Sequence, residues 1–157
     1  MSQQITNFAE AIKELLYENW TLKDRNDKLR FFWAGYKIDK NLFKNKKRFI
    51  EVTTVSSAPE TKTLGLTKLD NLFKIDLWIK VQEGDAKNHD ARVQLENDRA
   101  LCKDQILKLI HDNQTAITGM EIGTFGNMLD PDDMETMGDK WLHSVMHVIG
   151  QIHHRKS

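Results

Sequence analysis

The chain has 157 residues, with 23 Lys and Arg against 23 Asp and Glu, so its formal net charge is zero. That length fits one domain able to bury about 70% of its unfolded surface. Zero net charge argues against disorder over most of the chain and against a nucleic-acid partner held by bulk charge alone. A lone cysteine, Cys102, excludes an internal disulfide and a cysteine zinc cluster, and reads as a small, partly buried hydrophobe within a helix. Met1–Glu10 is polar, without the apolar centre of a signal peptide. No window approaches the roughly 20 apolar residues of a membrane span, so neither secretion nor a membrane partner is expected.

Residues 7–20 read as an amphipathic helix. Asn7 is a candidate N-cap with Glu10 three residues on, and Phe8, Ile12, Leu15, Leu16 and Trp20 make one stripe at helical spacing. Residues 21–47 carry nine basic side chains against three acidic ones, with aromatic residues between them. Arg30, Trp33, Tyr36, Lys44, Lys46 and Lys47 form a candidate contact surface there, because cations meet phosphates and aromatic rings stack on bases. The same tract also fits a docking surface for an acidic protein. In the plainer reading, Phe31, Phe32 and Trp33 pack on the core while the lysines stay solvated.

Arg48–Val55 is dense in β-favouring residues and predicts a strand. Residues 56–68, punctuated by Pro59 and Gly65, predict a long connection or an extended mobile arm. Leu72–Val81 alternates strictly, with Phe73, Ile75, Leu77, Ile79 and Val81 on one face and Lys74, Asp76, Trp78 and Lys80 on the other. The spacing predicts a strand with one buried and one polar face. Trp78 is anomalous there and is either covered by a loop or used for partner contact.

A polar turn at Glu83–His89 precedes a helix predicted over 90–113, with Leu95, Cys102, Ile106, Leu109 and Ile110 on one face and Leu101 and Leu107 widening it. A glycine-bearing strand is expected over 118–128 and a turn at 130–133, inside a stretch, 130–139, that holds acidic residues and no basic one. Residues 141–153 fit either a helix or a strand, and their Val and Ile density favours the strand. The sum is a single α+β domain spanning 1–157. Its sheet is antiparallel or mixed, of about four strands, with two main helices packed on one face.

No glycine-rich phosphate loop and no G-x-S-x-G elbow occurs. His143 and His147 are four apart but lack the glutamate of H-E-x-x-H, so half-solvated strand histidines are expected rather than a metal site. Glu60-Thr61-Lys62 has the E-x-K form of magnesium-dependent nucleases, with Asp39 or Glu51 as possible partners. However, it falls in an expected loop rather than on a rigid strand. No catalytic constellation and no cofactor is read from the chain. A basic stretch at 21–47 and an acidic one at 130–139 permit head-to-tail contacts between identical subunits.

The opening helix AEAIKELLYENW, the strand RFIEVTTV, the arm leading to NLFKIDLWIKV, the second helix ALCKDQILKLI and the closing strand WLHSVMHVIGQI follow in an order. That layout resembles the tail terminator, or tail completion, proteins of long-tailed bacteriophages. The resemblance is of layout over most of the chain and carries no diagnostic motif. The basic segment 21–47 is longer than that layout leads one to expect.

The resemblance implies a virion protein, assembled in the host cytoplasm, that forms a ring, commonly hexameric. The ring would cap the tail tube and join it to the head connector. Its partners would be further copies of itself, the tail tube protein and the connector proteins, and it would have no catalytic residues. In that reading the subunit or partner interface is expected at Thr61, Lys62, Leu64 and Leu66 on the arm and at Trp78 and Lys80 on the polar sheet face. Two other readings compete: a nucleic-acid-binding or magnesium-dependent nuclease-like domain using 21–47, and a monomeric module that binds another protein.

Overall fold

The structure is a computed structural model, and it describes residues 8–21, 32–35, 48–55, 70–81, 89–131, 133–136 and 139–152. Helix α1, Phe8–Asn19, buries Ala9, Ile12, Leu15 and Leu16, the stripe expected from the spacing. Its last turn is closed by Asn19, whose side-chain amide donates to the Leu15 carbonyl at 2.8 Å. Helix α2, His89–Asp112, buries Cys102, Gln105, Ile106, Leu109 and Ile110. Leu101 does not widen that stripe. It is 54% exposed, because one helical step from Cys102 turns it about 100° off the buried face. Asn113 closes α2 as Asn19 closes α1, donating to the Leu109 carbonyl at 2.8 Å. Gly119, at φ 85°, then turns the chain into the sheet, a backbone angle that suits glycine.

The strands are β1 (Phe32–Gly35), β2 (Arg48–Val55), β3 (Asp70–Val81), β4 (Met120–Leu129), β5 (Met134–Thr136) and β6 (Asp139–Ile152). They form one sheet in the order β1-β2-β3-β6-β4, with β5 continuing beside β6. The β1–β2 pair is parallel. The other pairs are antiparallel. The fold is α+β, as composition and periodicity predict. Strand β1 and the three-residue β5 were not anticipated. The closing segment is a strand.

Cross-strand partners share a face, so register sorts the side chains. Ile50 and Val52 pair with Leu77 and Ile75. Phe73, Ile75 and Ile79 pair with Val148, Met146 and Leu142. These residues form the main core together with the buried stripes of α1 and α2, so both helices pack on this first face. Gly150 lies there too. A Cβ at that position would sit 2.3 Å from Met120 Sδ and 2.9 Å from Phe73 Cε2, so the core is closed over it.

The second face differs from the solvated surface that alternation predicts. Phe49, Trp78 and Trp141 form a separate buried cluster on it. Glu51 and Asp76 lie within the same face at 0% and 1% exposure. Polarity of side chain did not mean exposure here, because the carboxylates are hydrogen-bonded within the protein. Asn7, the arm 56–68 and most of 21–47 lie outside the described residues.

Candidate functional site

The second face is the most chemically loaded part of the described structure. Strands β2, β3 and β6 bring four functional side chains together by register alone. Glu51 is the direct partner of Asp76, Phe49 of Trp78, and Trp78 of His143. The Trp78 indole N–H donates to Glu51 Oε1 at 3.0 Å. His143 Nε2 lies 2.6 Å from Asp76 Oδ1, and its ring stacks on the Trp78 indole with centroids 3.7 Å apart and planes 3° from parallel. Phe49 packs on both tryptophans, 6.4 Å from Trp78 and 5.7 Å from Trp141. Phe49, Glu51, Trp78 and Trp141 each make a further polar or ring contact beyond these.

Two buried carboxylates side by side need compensation. Asp76 has it from His143 and from the Lys74 ammonium, 3.6 Å from Oδ2. His147, the cross-strand partner of Lys74, feels the same environment. Burial and then the Lys74 charge hold its imidazole below the ordinary value, against the pull of Asp76. Each carboxylate therefore has one oxygen engaged by an aromatic donor and is closed to solvent. That arrangement fixes the register of three strands. The His143 side chain that holds Asp76 remains 17% exposed. Among the described residues no group of three or more His, Cys, Asp and Glu is placed to hold a metal ion.

The anticipated site residues divide by location. Trp78 is 2% exposed, so of the two alternatives for it, covered or contacting a partner, the chain itself supplies the cover. Lys80 is partly buried and pairs with Asp139 at 3.2 Å. Trp33 is in β1, in register with Glu51. Thr61, Lys62, Leu64, Leu66, Arg30, Tyr36, Lys44, Lys46 and Lys47 lie outside the described residues. So do Asp39 and Glu60, which leaves Glu51 as the described member of the nuclease-like set, held by Trp78. His143 and His147 sit on one strand face, as the spacing predicts, and His143 is turned to Asp76. Sequence reasoning missed the Glu51–Trp78 and Asp76–His143 pairs. The available signal was Trp78 on a nominally polar face.

The acidic stretch 130–139 is largely compensated within the chain. Asp130 accepts from Lys103 at 2.8 Å and from Ser144 at 2.6 Å. Burial raises its carboxyl, but those two hydrogen bonds and the nearby Arg99 outweigh burial and hold it below the ordinary value. Asp133 pairs with Arg92 at 2.8 Å and Lys140 at 3.5 Å. The hydrogen bond to Asp133 is the main reason the Arg92 guanidinium is held above its usual value. These pairs clamp α2 to the β4–β6 end of the sheet. They leave less acidic charge for a neighbouring subunit than the composition suggests.

On the helix side, Ala11, Glu14, Leu15 and Glu18 of α1 face Ala116, Ile117 and Thr118 across an open cleft of about 380 Å³. No helix among the described residues is long and apolar enough to cross a membrane. No protein-family model matches the chain, and no curated protein matches it either.

Proposed function

We propose that this protein is a structural assembly subunit, the unit of an oligomeric ring that caps a phage tail tube and joins it to the head connector. The observation that carries the reading is the connection between β2 and β3. These strands are antiparallel neighbours, paired up to Val55 and Leu72. A hairpin closing that pair needs about two to five residues. The chain uses the whole of 56–69 instead. So long an insertion at the end of a rigid hairpin suits an arm that reaches a neighbouring subunit.

Two further features support the same reading. The two helices and the strands expected at 48–55, 72–81 and 141–153 occur in the expected order, with β1 and β5 added to them. The two buried carboxylates of the second face are held by neighbouring side chains, Glu51 by Trp78 and Asp76 by His143 and Lys74, which suits a rigid scaffold.

In this reading Thr61, Lys62, Leu64 and Leu66 make the subunit contact. Trp78, expected at the same interface with Lys80, is buried and holds the sheet from within. The ring is expected to be a hexamer, built in the host cytoplasm and carried in the virion. Negative-stain electron microscopy of the concentrated protein, beside a DNA titration at two salt levels, tests this. Rings with no salt-dependent DNA binding are expected. Salt-dependent DNA binding by a monomer, with no rings, would move the function to the basic segment.

A further inference from the structure

We infer that the outward ridge of helix α2 is a two-fold contact, on which a second copy of this chain packs its own α2 antiparallel. The inference goes beyond the assembly reading and does not rest on it, since the arm contact runs head to tail and this one is isologous. It starts from how α2 uses its sides. Cys102, Gln105, Ile106, Leu109 and Ile110 are buried. The flank toward the β4–β6 end of the sheet uses its charge within the chain, Arg92 on Asp133 and Lys103 on Asp130.

The remaining side is exposed. Asp90, Val93, Asn97, Leu101 and Lys108 lie along it, all within about 50° of one line at 100° per residue. Val93 and Leu101, 42% and 54% exposed, are two of the three large hydrophobic side chains exposed among the described residues. Such residues mean little when scattered singly. These two share a ridge that holds only Asn97 between them, on a helix that is otherwise densely charged in this half.

The charges at the two ends of the ridge select the occupant. Asp90 and Lys108 are 18 residues apart, or five whole turns, so they point the same way about 27 Å from each other. A second α2, antiparallel and centred on position 99, brings its Lys108 to Asp90 and its Asp90 to Lys108. One two-fold axis thus makes two ion pairs, and it sets the Leu101 side chains of the two copies about 6 Å apart along the helices. A parallel pairing would instead set Asp90 on Asp90 and Lys108 on Lys108, which like charges disfavour. Lys108 forms no ion pair among the described residues. Asp90 keeps a contact within its own chain, and a carboxylate accepts from several donors at once. One helix ridge buries less than the about 1,200–2,000 Å² of a stable complex, so the pair is weak between free chains and strengthens where assembly gathers many copies.

The test is zero-length carbodiimide coupling of the full chain over a range of concentrations, read by peptide mass spectrometry. An amide between Asp90 and Lys108 forms only between chains, because about 27 Å of helix separates them within one. That cross-link is expected to appear and to rise with concentration. It is expected to fall about fivefold or more in Leu101→Glu, which sets two like charges beside the two-fold axis. Leu101 is exposed, so this substitution leaves the fold intact. Absence of the Asp90–Lys108 cross-link at every concentration overturns the inference, and so does a yield that Leu101→Glu leaves unchanged. Rings without the cross-link would remove this contact and leave the assembly reading standing. The cross-link without rings would do the reverse.

Discussion

Replacing Gly150 with alanine places a methyl carbon 2.3 Å from Met120 Sδ, 2.9 Å from Phe73 Cε2 and 3.1 Å from Met120 Cγ. Carbon contacts are favourable near 3.5–4 Å, so each of these is repulsive. Met120 and Phe73 are 1% and 2% exposed, which leaves little room to retreat. A glycine-to-alanine change within an open strand gains about 0.5–1 kcal/mol from backbone entropy. Overpacking a closed core costs about 1–3 kcal/mol. The balance is a net loss of about 1–2 kcal/mol, or a melting point lower by roughly 2–8 °C for a domain of this size.

Thermal and urea unfolding measure the loss directly. Met120→Ala alone opens a cavity and costs about 2–5 kcal/mol. In the double variant the new methyl occupies part of that cavity, so the two losses fall short of additive by at least about 1 kcal/mol. A Gly150→Ala protein that melts at or above the parent temperature would refute the β4–β6 register and the packing of Met120 drawn from it.

Other outcomes follow from the second face and the helix clamp. Glu51→Leu removes an acceptor from the Trp78 indole and is expected to cost about 1–3 kcal/mol in urea unfolding, with Glu51→Gln costing less. Equal losses in the two variants would deny that hydrogen bond a role. His147 is held below its ordinary value of 6.5, so its charged form is disfavoured in the fold. The unfolded chain then binds more protons as pH falls through and below 6.5, and stability declines with it. His147→Gln should flatten that decline, and an unchanged pH profile would count against the burial that causes it. Asp130 is held below its ordinary 3.8, so its contribution is complete above that value and is lost as pH falls further. Asp130→Asn should reduce the loss of stability below about pH 4, measured by acid titration of circular dichroism.

Much of the fold was legible because periodicity is local. Helix α1 and strand β3 repeat their apolar residues at helical and strand spacing, and β2 is a run of β-branched and aromatic residues bounded as expected. Strand β1 was not legible. It is four residues long, it lies in a basic tract, and it gains stability from pairing with β2, which is a non-local fact. Strand β5 is three residues long and pairs through a tight return onto β6.

The buried second face was concealed by its own chemistry. Lys74, Asp76 and Lys80 alternate like a solvated surface, but Asp76 has one oxygen held by His143 sixty-seven positions away. A pairing of that kind is visible only once the register of three strands is known. Phe49 and Val55 on the same side of β2 as Glu51 gave a hint that both faces are covered, as continuous apolar runs do in strands buried on both sides.

The central claim is assembly, and light scattering coupled to size exclusion tests it most directly. The parent chain and a variant lacking 58–66 would be compared over a wide concentration range at two salt levels. The account predicts a discrete multimer of about six subunits for the parent, the closed product of head-to-tail contacts, and a folded monomer for the deletion. A parent chain that stays monomeric throughout, or a deletion variant that assembles as the parent does, would contradict it.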